Sequence, residues 1–231
     1  MSPPFTVGFE AVGTVVAAGA KAMAKEGDHV AYMENGAFTE YQTTRRVFPI
    51  PSLETEYITL LVSGLTAAIA LKVNGIDVFH QNSESKSPRI GLVTAAAGGT
   101  GMKIIKKKTL FSDSNHSGQF ATQLMKIAGI GKVIGTCSTV EKENFLKSIG
   151  ATDTINLSKN KLGVELPKLA PSGVNVAYES VGGKVLDSTI DNLAIGGKCI
   201  QIGFIDGYKV GSMMKGVSPM GTTVFRTLVM I

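Results

Sequence analysis

The chain has 231 residues, 44% of them hydrophobic and 6% aromatic, with two cysteines and a formal net charge of +5. That length allows one large domain or two small ones with a sizeable core, and a lone pair of cysteines, Cys137 and Cys199, argues against a disulfide framework and fits a reducing compartment. The modest positive charge comes with no basic stripe or aromatic platform, so nucleic-acid binding is not expected.

The first fifty residues read as short strands punctuated by glycine: Val12–Ala18, Asp28–Met33 and Gly36–Tyr41, with Pro49 and Pro51 closing the region. Met1–Pro4 carry neither the basic region nor the apolar core of a signal peptide. Tyr57–Val73 has helical spacing and no proline and reads as one helix. The longest apolar run, Leu60–Leu71, is interrupted by Ser63 and Thr66 and falls short of a membrane span. Strands and helices then alternate. The strands are Ile90–Ala95, Lys132–Thr136, Thr154–Ile155, Val174–Tyr178 and Lys198–Gly203. The helices are Gln119–Ala128, Val140–Ile149, Leu162–Leu169 and Lys184–Leu193. Such alternation predicts an α/β fold with a doubly wound parallel sheet. Thr222–Ile231 suits either an edge strand or a terminal helix.

The most informative stretch is AAAGGTG at Ala95–Gly101, directly after the apolar strand. Glycines so closely set permit a turn that brings backbone N–H groups and a helix N-terminus against a pyrophosphate. A dinucleotide turn should run straight into its helix, yet Met102–Ser117 reads MKIIKKKTLFSDSNHS and has no helical face. Removing 17 residues, 102–118 or equally 101–117, restores a continuous AAAGGTG-QFATQLMKIAG, so the interval reads as an insertion. The second strand of the unit ends Ile134-Gly135-Thr136-Cys137-Ser138, without the carboxylate that selects NAD through the ribose 2′-hydroxyl. Thr136 lies 35 positions after Gly101, or 18 with the insertion discounted. Ser138 and Lys142 offer a hydroxyl and an ammonium suited to a 2′-phosphate, which favours NADP. A helix N-cap at Ser138 with a solvated Lys142 is the alternative, and both can hold together.

Several further motifs occur in order: GFEAVGTVVAAG at Gly8–Gly19, GDHVAY at Gly27–Tyr32, GAFTEY at Gly36–Tyr41, LLVSGLTA at Leu60–Ala67, then VIGTCS, EKENFLKSIGA, YESVGG and IGFIDGY. On these the chain resembles the zinc-independent medium-chain dehydrogenase/reductases of the quinone oxidoreductase type. The resemblance implies a GroES-like β-rich catalytic domain, here partial, over residues 1–55, and a Rossmann-like NADP-binding domain over residues 56–231. It implies hydride transfer from NADPH to the β-carbon of an activated double bond, with enones such as 15-keto prostaglandins, or quinones, as substrates. It further implies that Gly98, Gly99, Thr100 and Gly101 meet the pyrophosphate, that Ser138 and Lys142 hold the 2′-phosphate, and that Ser180, Ile202 and Tyr208 line the nicotinamide side. Leu157 stands where the family has a tyrosine beside the adenine ribose. The family's habit of pairing through the sheet edge implies a homodimer. Against the family's length the chain begins late and ends early, which implies weak activity or none; a non-catalytic NADPH-binding or regulatory module is the competing reading. Cytosol is the default compartment, with peroxisome or mitochondrion as alternatives.

Phe9, between Gly8 and Glu10, occupies the position of a histidine ligand in zinc-dependent members, and an apolar ring cannot bind metal. Cys137 and Cys199 lack Cys-x-x-Cys spacing, and His29, His80 and His116 read as solvated. Catalytic zinc is therefore not expected. Glu10 and Glu179 read as packing or hydrogen-bonding residues, Ser180 as nicotinamide-lining or as a cap before Gly182-Gly183, and the proton donor is left open.

Overall fold

The computed structural model describes residues 7–79, 87–98, 117–203, 205–208 and 227–230. The chain divides into two compact units, Met1–Thr66 and Ala67–Ile231.

The first unit holds a three-stranded antiparallel sheet in the order β1 (Glu10–Thr14), β2 (His29–Met33) and β3 (Val47–Pro49). Strand β1 ends four residues before the expected Ala18. The stretch expected as a third strand, residues 36–41, is instead bends and turns around a left-handed Gly36 (φ 83°), and the third strand is β3, ending on Pro49. Proline is tolerated there because the strand is at an edge and at its end. His29 is half-buried in β2, where Nδ1 meets the Thr14 hydroxyl at 3.1 Å, rather than solvated in a turn. Ala31, Ile50 and Leu61 form the small core, with Val12 and Tyr57 packed on it.

The single helix expected over residues 57–73 is two elements. A 3-10 helix, Thr55–Leu60, precedes α1 (Val62–Val73), with the break at Leu61 (φ −92°, ψ −114°). A tertiary bond makes the break: Oε2 of Glu10, from β1, accepts the Val62 N–H at 3.1 Å and so serves an amide that has no intrahelical partner. Gly64 lets the first turn of α1 lie against the Thr59 carbonyl, where any Cβ would collide.

The second unit is a parallel sheet of six strands in the order β6-β5-β4-β7-β8-β9: β4 (Ser87–Val93), β5 (Ile130–Cys137), β6 (Asp153–Asn156), β7 (Val174–Glu179), β8 (Leu193–Gln201) and β9 (Thr227–Met230). Helices α2 (Ser117–Ile127), α3 (Val140–Ser148), α4 (Leu162–Leu169) and α5 (Gly183–Asp191) alternate with the strands. This is the expected Rossmann-like doubly wound arrangement. Leu193 begins β8 rather than ending α5, and Thr227–Met230 is an edge strand parallel to β8 rather than part of a helix. Apolar residues alternate between the faces. Val93, Val133, Tyr178 and Ile200 pack with Ala67, Ala70, Leu71, Ala121 and Met125 on one side. Leu92, Ile134, Ala177 and Cys199 pack with Leu162, Leu166 and Leu186 on the other. Burial of both faces is what a wholly parallel sheet requires.

Candidate functional site at the strand ends

The strand order reverses between β4 and β7, since β5 and β6 lie to one side of β4 and β7 to β9 to the other. In open α/β sheets ligands bind in the crevice beyond the carboxyl ends of the strands at such a switch point. Three sets of residues meet there.

The first is the turn after β4. Ala95 is left-handed (φ 46°), unusual for a residue with a Cβ and a mark of a turn held by its surroundings. Thr136 of β5 holds it: the Ala95 N–H donates to Thr136 Oγ1 at 2.9 Å and the Ala96 N–H to the Thr136 carbonyl at 3.0 Å. The Gly98 N–H closes on the Ala95 carbonyl at 2.7 Å. Helix α2 begins against this turn, with Gln119 Nε2 donating to the Gly98 carbonyl at 3.0 Å. Of the glycine-turn residues, Gly98 is thus placed at the switch point, whereas Gly99, Thr100 and Gly101 lie outside the described residues, as do residues 102–116 of the interval expected to be an insertion.

The second set joins β4 to β7 through a buried carboxyl. Glu179, fully buried, accepts from the Thr94 hydroxyl at 3.2 Å, the Val181 N–H at 2.8 Å and the Gly182 N–H at 3.0 Å. Burial pushes its carboxyl above the ordinary range, and the amides of Gly182 and Val181 and the Thr94 hydroxyl offset part of that. Thr94 Oγ1 accepts the Ser180 N–H at 2.9 Å, and the Ser180 hydroxyl donates back to the Thr94 carbonyl at 3.4 Å. Ser180 is therefore not a cap; the N-cap of α5 is Gly182. The Ile202 N–H donates to the Glu179 carbonyl at 2.8 Å, so Ser180 and Ile202 are neighbours across Glu179. Tyr208 ends a short helix, α6 (Ile205–Tyr208), whose first amide donates to the Ser180 carbonyl at 3.2 Å; its side chain lies outside the described set. Sequence reasoning did not place Thr94 in the site, and took Glu179 only as a packing or hydrogen-bonding residue; the only signal was a carboxylate at the end of an apolar strand.

The third set is the tip of β5. Ser138 is exposed, and its carbonyl accepts from the Ser158 hydroxyl at 2.8 Å. The N-cap of α3 is Thr139 rather than Ser138: its hydroxyl accepts the Lys142 N–H at 3.3 Å. That leaves the Ser138 hydroxyl out of the cap. Two carboxylates stand in the first turn of α3, and both are engaged. Glu141 is held below its usual range by its own backbone N–H and the Thr139 hydroxyl, while Glu143 accepts from Asn156 Nδ2 at 2.8 Å.

No described residues group as three or more His, Cys, Asp or Glu able to hold a metal ion. Both thiols are free, buried and shifted against ionisation: Cys137 by burial and then by Glu143, and Cys199 to about 12 by burial and then by Glu179. Neither has the electropositive, accessible setting of a nucleophile. Among the described residues no helix is long and apolar enough to cross a membrane.

The family described as zinc-binding dehydrogenase matches residues 118–229. Prostaglandin reductase-3 of Mus musculus is 44% identical over 98% of this chain and 54% of its own length. A probable quinone oxidoreductase of Leishmania amazonensis is 41% identical over 97% of this chain and 59% of its own. The solved structure of Escherichia coli quinone oxidoreductase complexed with NADPH superposes with a TM-score of 0.70 at 24% identity, covering all of this chain and 64% of that one. The chain thus spans between half and two thirds of the length of these relatives. It belongs to the quinone oxidoreductase group of the medium-chain dehydrogenase/reductase family.

Proposed function

We propose that the chain carries the NADPH-binding unit of a reductase acting on the activated C=C bond of small enones, 15-keto prostaglandin-like compounds among them, or on quinones. The observation that carries this reading is the Ala95–Gly98 turn, pinned to Thr136 and packed on the start of α2 at the switch point of the sheet. The residues present fit a phosphorylated dinucleotide. The first turn of α2 has no acidic residue, so its positive end faces the turn without a competing carboxylate. At the β5 tip, Ser138 and Lys142 offer a hydroxyl and an ammonium to a 2′-phosphate; of the two carboxylates nearby, Glu143 is taken up by Asn156, and Glu141 is held at the α3 start by its own N–H and the Thr139 hydroxyl. Gly98, Gly99, Thr100 and Gly101 are the family's pyrophosphate positions.

When bound, NADPH supplies the hydride that goes to the β-carbon of the enone, and a proton then completes the α-carbon. The chain's own contribution is orientation. Ser180 and Ile202, fixed on either side of Glu179, present a wall for the nicotinamide ring, to which the family resemblance adds Tyr208. The buried Glu179 carboxyl acts behind that wall, holding the 180–182 loop, and does not touch the ring.

The test is parallel titration with NADPH and NADH, read by cofactor fluorescence, followed by NADPH consumption with an enone and a quinone. NADPH binding tighter than NADH, with no more than slow consumption of either acceptor, is expected. Binding without turnover reduces the function to a cofactor-binding module; binding of neither nucleotide overturns the reading.

A further inference from the structure

Excising residues 101–117 or 102–118 leaves the same text, so sequence offers two glycines, Gly101 and Gly118, for the end of the turn. At Gly118 the packing itself requires a glycine. A Cβ there would stand 2.8 Å from the Ala95 carbonyl oxygen and 3.0 Å from Ala96 Cα, backbone atoms that cannot swing aside. This is the close helix–strand approach for which a dinucleotide turn keeps a glycine. Ser117 precedes Gly118 as Thr100 precedes Gly101, a hydroxyl residue before a glycine, and it is buried at the first position of α2.

A second, independent feature lies beneath it. Tyr178 is fully buried in β7 and its hydroxyl has no hydrogen-bond partner among the described residues; burial pushes its pKa up to about 12, and the Ser117 side chain is close enough to offset part of that rise. A buried donor without an acceptor is an exception that calls for a cause. If the Ser117 O–H turns outward to an anion, its lone pairs become available to Tyr178.

Resting on the dinucleotide reading above, we propose that Ser117 and Gly118, rather than Thr100 and Gly101, close the diphosphate turn of this chain. The first amides of α2 and the Ser117 O–H donate to phosphate oxygens, and the Tyr178 O–H donates to Ser117 Oγ. Tyr178 is a positioning residue: it sets the direction of the Ser117 hydroxyl without touching the cofactor. Thr100 and Gly101 then add nothing to the affinity.

The experiment is NADPH fluorescence titration with a thermal melt of the free protein, on the full chain and on Tyr178→Phe, Gly101→Val and Gly118→Ala. Tyr178→Phe is expected to weaken NADPH about three- to tenfold while the free protein melts at the same or a higher temperature, because an unsatisfied buried donor has been removed. A purely structural tyrosine would lower the melting temperature and leave affinity alone. Gly101→Val is expected to keep affinity within about twofold, and Gly118→Ala to lower it by about tenfold or more. Should Gly118→Ala fail to fold, the other two variants decide. A Gly101→Val loss as large as the expected Gly118→Ala loss, or unchanged affinity in Tyr178→Phe, overturns the proposal. A full chain that binds no nicotinamide nucleotide rejects the functional reading itself, a distinct outcome.

Discussion

The two units of this chain bury apolar surface in different ways. In Met1–Thr66 the sheet has three strands, and its core cluster is Ala31, Ile50 and Leu61, while Phe9, Phe38, Tyr41 and Phe48 are all exposed. In Ala67–Ile231 a parallel sheet is covered on both faces, and Leu92, Val93, Ile134, Tyr178 and Ile200 are fully buried. The lesson is about rigidity. A sheet buried on two sides specifies its register, and a turn hung from its strand ends inherits that precision; a small sheet packed on one side does not supply it. The glycine turn and the Thr94–Glu179–Ser180 network both belong to the second kind of unit.

Matched truncations break this comparison most directly. Leu92→Ala, at the centre of the parallel sheet, is expected to cost about 4 kcal/mol in urea unfolding, whereas Ile50→Ala in the small sheet should fall at the low end of such truncations, about 2 kcal/mol. Equal costs would mean that the two cores are equally consolidated. The next test concerns the β5 tip. Lys142→Ala should weaken NADPH about tenfold and leave NADH nearly unchanged in the same fluorescence titration. An equal effect on both nucleotides would place Lys142 away from the 2′-phosphate.

The smallest effect is also the most specific to the second unit. Burial raises the Glu179 carboxyl in the folded state. Between the ordinary carboxylate value and that raised value the folded chain binds more protons than the unfolded one. The contribution of Glu179 is therefore fully present below the ordinary value and lost as pH rises through the folded value. Urea midpoints of the full chain should decline across this window, and Glu179→Gln, which does not titrate, should flatten that decline. An unchanged slope would show that Glu179 is ionised throughout.

Much of this was legible in the amino-acid order because it follows from local rules. Apolar runs interrupted by helical spacing specify alternating strands and helices, and α4 falls on Leu162–Leu169 as the pattern predicts. The glycines after β4 mark the turn that the structure describes as far as Gly98. What stayed hidden depends on contacts distant in the chain. Glu10 ends one helix and starts another across 52 positions, Thr136 holds Ala95 across 41, and Thr94 meets Glu179 across 85. Periodicity records which face of an element is apolar, but it carries no term for which backbone amide a remote side chain will satisfy. The choice between Gly101 and Gly118 has the same origin. As text the two glycines are interchangeable; that α2 approaches the Ala95 carbonyl so closely at Gly118 that no Cβ fits is visible only in the folded chain.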